Sequence, residues 1–194
     1  MYLLIDFKDS YSFNLVAYFR ILGKHVVVIE PEVLTLKFLK SLKEKQELKG
    51  IILSPGPKTP AKAGIGKGVL KYMFEQFPVL GICLGHQMIA HYFGAVVAKG
   101  SAPMHGVLSR IQHNNQGLFA ELPQDFRATR YHSLCVKDRG FPSCLQVVAR
   151  SEDHVIMGLQ HKTLRVFGVQ YHPEAVLTEY GKELLMQFIE CCEA

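Results

Sequence analysis

The chain has 194 residues, of which 48% are hydrophobic and 20% charged, and its formal net charge at pH 7 is +5. This composition is typical of a folded globular protein and excludes a disordered or fibrous chain. No apolar run approaches the roughly 18 residues of a membrane-spanning helix, and the first residues lack the leader of a secretion signal. We therefore predict one domain over residues 1–194, in the cytoplasm and without membrane contact.

The first half of the chain alternates between short apolar strands and helical segments. Strands are predicted at residues 2–5, 25–30, 50–54 and 78–82, and helices at 10–23, 35–48, 65–76 and 85–93. Such alternation is typical of an open parallel sheet with helices on both faces. Ligands bind such sheets at the carboxyl ends of the strands, where the loops 6–12 and 54–60 and residue Cys83 fall.

The second half contains short strand candidates separated by turn signals. The segments "LQVVAR" and "VIMGLQ", joined by "SEDH", predict a hairpin, and residues 178–193 predict a terminal helix. The predicted fold class is therefore α/β, a single domain with a mostly parallel central sheet flanked by helices and extra short antiparallel strands in its second half.

The cysteines, histidines and lysines exclude several classes of site. The five cysteines have no CxxC spacing and the nine histidines no HExxH pattern, so we expect neither a metal nor another cofactor in this chain. The lysine-rich stretch 37–50 contains a single aromatic residue. It fits the solvated face of a helix, and we expect no nucleic-acid partner.

The segment "GICLGHQ" places Cys83 between a predicted strand and a predicted helix, with Gly81 and Gly85 on either side. A nucleophile on such a turn needs small neighbours, and we expect the glycines to provide that clearance. The positive end of the helix dipole favours a thiolate, and the free N–H of Leu84 can stabilise an oxyanion. A buried structural cysteine under a glycine turn explains this segment equally well.

The segment "VQYHPEA" offers a base and a group to orient it. Alternate side chains of an extended segment share a face, so His172 and Glu174 can form a pair, and Pro173 stiffens the backbone between them. His172 would remove the proton of Cys83, and Glu174 would stabilise the resulting imidazolium. His105 and His132 are other candidates for the base, but neither has a carboxylate two residues away.

Four ordered motifs, "LSPGPKTP", "GICLGHQ", "ATRYHSL" and "VQYHPEAVLTEYGKELL", carry a family resemblance over nearly the whole chain. The sequence resembles the class I (triad-type) glutamine amidotransferases, which are flavodoxin-like, and most closely the small glutaminase subunits of anthranilate synthase and of para-aminobenzoate (aminodeoxychorismate) synthase. The resemblance does not separate the tryptophan pathway from the folate pathway.

The resemblance implies a role for each matching residue. Cys83 would attack the side-chain amide of glutamine, with His172 as acid and base and Glu174 orienting it. The N–H groups of Gly56 and Leu84 would form the oxyanion hole. The residues implied to bind the amino acid part of glutamine are Gln87, Ser133 and Leu134, together with Gly56.

The resemblance also implies a protein partner, a large synthase subunit that binds chorismate and uses the released ammonia. Two alternatives remain, a stand-alone Cys–His–Glu hydrolase of γ-glutamyl compounds and a noncatalytic binding subunit. One residue departs from the family loop, where Lys58 replaces a glycine. If that position requires a positive φ, the lysine costs about 1 kcal/mol.

Overall fold

The computed structural model describes residues 1–194 and contains eleven strands and five α-helices. The strands are β1 (Tyr2–Ile5), β2 (Val26–Ile29), β3 (Gly50–Leu53), β4 (Val79–Ile82), β5 (Val97–Lys99), β6 (Val107–His113), β7 (Phe126–Arg130), β8 (Leu134–Val136), β9 (Leu145–Ser151), β10 (Ile156–His161) and β11 (Val166–Val169). The helices are α1 (Ser12–Ile21), α2 (Leu36–Glu44), α3 (Lys67–Gln76), α4 (Leu84–Tyr92) and α5 (Gly181–Glu193). None of these helices combines the length and the hydrophobicity that crossing a bilayer requires.

Nine strands form one sheet in the order β2-β1-β3-β4-β11-β10-β9-β6-β7. The pairs from β2 to β11 are parallel, and the pairs from β11 to β7 are antiparallel. The last strand of the chain, β11, therefore lies beside β4, with Val169 in register with Ile82. This pairing brings the segments that follow the two strands to the same edge of the sheet.

Both faces of the parallel strands are buried. Along β1, Tyr2 and Leu4 belong to one apolar cluster, and Leu3 and Ile5 belong to the other. This alternation follows from the two-residue period of a strand. Helices α1 and α5 cover the first face and helices α2, α3 and α4 cover the second, so helices enclose the parallel strands on both sides, as predicted.

The second half of the chain partly follows the sequence prediction. The hairpin of β9 and β10 is present. Strands β10, β9, β6 and β7 extend the main sheet, whereas β5 and β8 pair antiparallel in a separate two-stranded sheet. Two strands were not predicted, β7 and β8, because the motif "ATRYHSL" between and within them was interpreted only as a site. The terminal helix begins at Gly181 and not at residue 178, since Tyr180 has a φ of 57°, which interrupts helical geometry.

Candidate active site

Cys83 occupies a strained turn between β4 and α4. Its φ and ψ are 50° and −97°, a combination that costs a non-glycine residue on the order of 1–3 kcal/mol. Its N–H donates to the carbonyl of Val169 at 2.9 Å, so the last residue of β11 holds the turn in place. The strained backbone at this cysteine favours the nucleophile interpretation over a merely buried thiol.

The two glycines beside Cys83 do not act as the sequence suggested. A Cβ on Gly81 would lie 2.4 Å from the backbone of Gly85, and a Cβ on Gly85 would lie 2.4 Å from the carbonyl oxygen of Leu53. Their missing side chains let the first turn of α4 pack directly on β3 and β4. The glycines therefore make the sharp turn possible, and the expectation that they clear space around the thiol is wrong.

His172 and Glu174 form a buried pair directly after β11. His172 Nδ1 lies 2.7 Å from Glu174 Oε1, and both residues are about 1% exposed. Burial by itself lowers the pKa of His172, but the adjacent Cys83 sulfur and the Glu174 carboxylate raise it to about 10. The raised pKa favours the imidazolium form of the ring, and a positive charge next to Cys83 favours the thiolate.

Residues that sequence reasoning missed hold the catalytic loop. Thr178 donates its hydroxyl to the carbonyl of His172 at 2.7 Å, and the N–H of His172 donates to the carbonyl of Thr129 at 3.0 Å. A Cβ on Gly181 would lie 1.9 Å from the carbonyl oxygen of Pro173, so α5 begins in direct contact with the loop. Thr178 and Gly181 follow the loop closely in sequence and only Thr129 comes from a distant segment, but the two-residue alternation of a strand reports none of these contacts.

Gln170 is a second missed residue, and here a signal existed. Its side-chain nitrogen lies 3.7 Å from Cys83 Sγ, and its side-chain oxygen accepts from Gln87 at 3.0 Å. The alternation that pairs His172 with Glu174 also places residue 170 on the same face. Extending that pattern backwards by two residues would have found it.

The two predicted oxyanion donors belong to neighbouring residues, since a Cβ on Gly56 would lie 2.9 Å from Leu84 Cδ2. Leu84 is the first residue of α4, so its N–H has no acceptor one turn earlier in the helix. The N–H of Gly56 has no acceptor within the chain, and a Cβ on Gly56 would lie 2.6 Å from Phe7 Cβ. Lys58, in the same loop, has no positive φ, so the lysine introduces no backbone strain.

A cleft of about 320 Å³ opens above Cys83. One side is the loop from Gly56 to Thr59, and the other is the segment Tyr131–Leu134, which we call the cleft wall. Gln87 and the sulfur of Cys83 also line the cleft, and Cys83 Sγ lies 4.0 Å from the carbonyl oxygen of Tyr131. The structure thus brings the predicted nucleophile Cys83 and the predicted oxyanion and substrate-binding residues to one cleft, whereas His172 and Glu174 are buried and do not line it.

The predicted substrate-binding residues contact the cleft in different ways. Gln87 donates from Nε2 to the carbonyl of Leu134 at 2.9 Å as well as to Gln170, so its amide nitrogen already has two protein partners. The N–H of Ser133 has no acceptor within the chain. It is therefore free to donate to a ligand, whereas binding of substrate by Gln87 remains a prediction.

The other histidines near the site fit the role of the base less well than His172 does. His105 is exposed and lies edge-on to the ring of Tyr131. Burial and the nearby Arg130 charge lower the pKa of His132 to about 4. His86 is fully buried against Gly168, and burial lowers its pKa to about 3, which indicates a packing role.

One cluster could in principle hold a metal ion. Ligand atoms of Asp9, His172 and Glu174 lie within 4.8 Å of one another. These groups already have partners, because the Asp9 carboxylate accepts from the N–H of Tyr11 at 2.8 Å and Glu174 bonds to His172. That the reaction uses no metal remains a prediction from the sequence.

Comparison with known proteins agrees with this geometry. Residues 3–191 match the family described as glutamine amidotransferase class-I. The chain is 43% identical to anthranilate synthase component 2 of Cyanophora paradoxa, over 98% of this chain and 99% of that protein. It is 43% identical to aminodeoxychorismate synthase component 2 of Escherichia coli, over 97% and 99% of the two chains.

A third relative carries both names, aminodeoxychorismate/anthranilate synthase component 2 of Bacillus subtilis, with 40% identity over 98% of this chain and 96% of the relative. Among solved structures, a protein from Thermoplasma acidophilum that is described as part of a GMP synthase superimposes with a TM-score of 0.84. That match has 26% sequence identity and covers 99% of this chain and 93% of the other. With its sheet, its cysteine turn and these relatives, the chain belongs to the class I glutamine amidotransferase family.

Proposed function

We propose that this chain hydrolyses glutamine through Cys83, His172 and Glu174 and delivers the ammonia to a chorismate-using synthase subunit. The observation that carries the proposal is the buried pair of His172 and Glu174 beside a cysteine whose backbone is strained. Backbone strain at one residue and a buried charge pair with a perturbed pKa persist where the surrounding structure and the function require them.

In the first step the Cys83 thiolate attacks the carbonyl carbon of the glutamine side chain, and a C–S bond forms. The negative charge that develops on the carbonyl oxygen is stabilised by the N–H groups of Gly56 and Leu84. As the tetrahedral intermediate collapses, the C–N bond breaks and His172 donates its proton to the departing nitrogen. The products are ammonia and a γ-glutamyl thioester on Cys83.

In the second step a water molecule hydrolyses the thioester. His172, now neutral, accepts a proton from the water while the oxygen attacks the thioester carbon, and the C–S bond breaks to release glutamate. Glu174 keeps its hydrogen bond to Nδ1 throughout, so that Nε2 faces the reacting atoms in the correct tautomer. Glutamine and water give glutamate and ammonia, and the thiolate is restored.

The cleft wall fits the amino acid end of glutamine. The free N–H of Ser133 suits a carboxylate oxygen, and the 320 Å³ cleft is large enough for one amino acid. Lys58 is the only Lys, Arg, Asp or Glu side chain that lines the cleft. Its positive charge would attract the α-carboxylate of glutamine as the substrate enters.

Exposed apolar residues beside the triad support a protein partner at this face. Val176 and Leu177, shortly after Glu174, are 88% and 63% exposed, and Phe13 in α1 is 67% exposed. Tyr11, two residues before Phe13, lies edge-on to the His172 ring. Apolar side chains exposed around a site are typical of protein interfaces, and relatives named component 2 belong to synthases of more than one component.

The test is to reconstitute this chain with its synthase partner and to supply either glutamine or ammonium salt. We expect the C83A variant to lose glutamine-dependent synthesis by at least about 10⁴-fold, because it lacks the nucleophile. Synthesis from ammonia should be unchanged, because the partner performs that step. Loss of both activities would contradict the proposal. Parallel assays with the partners from anthranilate synthase and from aminodeoxychorismate synthase decide between the two pathways.

A second measurement separates the alternatives. A stand-alone hydrolase would have the same glutaminase rate with and without the synthase, and a noncatalytic subunit would not react at Cys83 with an electrophilic glutamine analogue. We expect partner-stimulated glutaminase activity and stoichiometric labelling of Cys83. The double variant V176S/L177S should weaken the stimulation and leave labelling intact, and a change at exposed Ile21 on the C-terminal end of α1 is the matched control.

A further inference from the structure

A buried arginine lies behind the cleft wall and takes no part in the proposed chemistry. Arg130, the last residue of β7, is 1% exposed. Its guanidinium donates to Asp153 at 2.9 and 3.2 Å and to the hydroxyl of Ser109 at 2.9 Å. Burying an arginine is costly unless its charge is compensated and its donors are satisfied, so these contacts require an explanation.

A further donor of Arg130, the N–H of Nε, points to the cleft wall. Arg130 Nε donates to His132 Nε2 at 3.1 Å. An arginine is always protonated and cannot accept, so His132 Nε2 must be the unprotonated nitrogen. The ring proton is therefore on Nδ1, which lies 3.0 Å from the carbonyl oxygen of Leu134 and donates to it. Arg130 thus selects one tautomer of His132.

That tautomer completes the hydrogen bonding of the cleft wall. The carbonyl of Leu134 accepts from both His132 and Gln87, so both lone pairs are used. The carbonyl of His132 accepts from the N–H of Met104 at 2.9 Å, and the carbonyl of Ser133 accepts from the N–H of Gly100 at 2.8 Å. With these carbonyls bonded, the N–H of Ser133, a residue that lines the cleft, is left without a partner in the chain.

We infer that Arg130, anchored by Asp153, is a positioning residue that acts through His132 to hold the cleft wall in the geometry that binds the amino acid end of glutamine. This inference rests on the proposed function. Asp153 lies in the turn between β9 and β10, on the far side of Arg130 from the cleft, and Ser151 also donates to it. A turn that does not line the cleft therefore controls the affinity for the substrate.

The D153N variant tests the inference. Asparagine keeps the size of the side chain but removes the charge that balances Arg130, so we expect the KM for glutamine to rise about tenfold as the wall shifts. The kcat should stay within about twofold, because the triad has no contact with Asp153. If Asp153 served folding alone, D153N would lower the melting temperature but would not raise KM while kcat stays constant.

The D138N variant is the matched control. Asp138 pairs with Arg150 at 2.5 and 3.2 Å, and neither residue lines the cleft. We expect it to leave both KM and kcat unchanged. An equal rise of KM in D138N, or a fall of kcat at constant KM in D153N, would overturn the inference.

A double variant tests the order of the contacts. H132A should raise KM by a similar factor, and D153N in the H132A background should add less than about twofold, because both changes remove one connected set of bonds. If the increases in KM of the two single variants multiply in the double variant, the inference is overturned. If D153N does not fold, S109A takes its place, with a smaller rise in KM expected.

The readouts separate this inference from the proposed function. If the proposed function is wrong, the wild-type complex shows either no glutaminase activity or a glutaminase rate that the synthase partner does not change. If only this inference is wrong, the wild-type complex is active, and the D153N complex has the same KM for glutamine as the wild type.

Discussion

The parallel and antiparallel regions of the sheet contribute to the site in different ways. The turns after β3, β4 and β11 supply Gly56, Cys83 and the His172–Glu174 pair, and they are held by backbone hydrogen bonds, by close packing at glycines and by the hydroxyls of Ser54 and Thr178. The cleft wall after β7 is held by side-chain hydrogen bonds from Arg130, His132 and Gln87. The reactive groups therefore depend on steric fit, and the substrate wall depends on a polar network.

This difference predicts how each region responds to change. Added atoms in the parallel region must displace backbone, because the interior is packed densely. Lost hydrogen bonds at the wall should reduce affinity by graded amounts, because each bond contributes about 1 kcal/mol. The following variants challenge that contrast, starting with the largest effect.

Replacing Glu174 with glutamine should slow the catalytic step and leave the structure of the cleft wall unchanged. Without the carboxylate, His172 is a weaker base and is less well oriented, so we expect kcat to fall by roughly 10²- to 10⁴-fold with little change in KM. In the wild type, activity should decline as the pH rises through the His172 pKa of about 10, when the proton donor is lost. In E174Q the decline should begin at a lower pH.

The same variant has a stability signature. Because the pKa of His172 is raised in the folded state to about 10 from a usual value of 6.5, its protonation stabilises the fold fully below pH 6.5 and progressively less toward pH 10. The difference in unfolding free energy between wild type and E174Q should therefore be largest near pH 6. Urea denaturation at pH 6, 8 and 10 measures it, and a difference that grows with pH would contradict the assignment.

Adding one methyl group at Gly85 should break the parallel region. The new Cβ would lie 2.4 Å from the carbonyl oxygen of Leu53, so α4 must move and carry Cys83 with it. We expect G85A to lose about 3 kcal/mol of stability and at least about 100-fold in activity. Thermal denaturation and a glutaminase assay measure the two effects.

Gly68 offers the matched control on another helix. It lies in α3, and a Cβ there would have no heavy atom within 4 Å. G68A should leave activity unchanged and stabilise the fold by roughly 0.5–1 kcal/mol, since alanine favours a helix. Equal losses in G85A and G68A would show that steric fit at the cysteine turn is not the cause.

Replacing Gln87 with methionine should loosen the contact between the two regions. The variant loses the bonds to Leu134 and Gln170, and we expect KM to rise about fivefold, equivalent to about 1 kcal/mol. If these bonds join the two regions, their loss should also lower the melting temperature of the free protein. If Gln87 contacts only the substrate, the melting temperature of the free protein will stay at the wild-type value.

Replacing Lys58 with glycine should have the smallest effect on stability. Lys58 has no positive φ, so glycine relieves no strain and should destabilise the fold by less than about 1 kcal/mol. A clear gain in melting temperature would indicate strain at this position. The KM for glutamine should rise modestly, and more so at low ionic strength, if the lysine attracts the substrate.

The sequence predicted the parallel region better than the antiparallel one. Buried strands between helices are recognisable from local patterns, and the His172–Glu174 pair follows from alternation along one segment. The strand β8, with three residues, has too few positions to show a pattern. The link from Arg130 to Asp153 joins the end of β7 to the turn between β9 and β10, and nothing in either segment alone indicates a partner.

The amino-acid sequence by itself determined the βα units, the turn at Cys83 and the pairing of a histidine with a carboxylate, because each is a local property of a few consecutive residues. Only the tertiary structure decided that β11 lies beside β4, which brings His172 to Cys83. It also decided that Gly81 and Gly85 serve packing and that Arg130 sets the tautomer of His132. The physical reason is that strand order and buried charge pairing depend on which distant segments share the core.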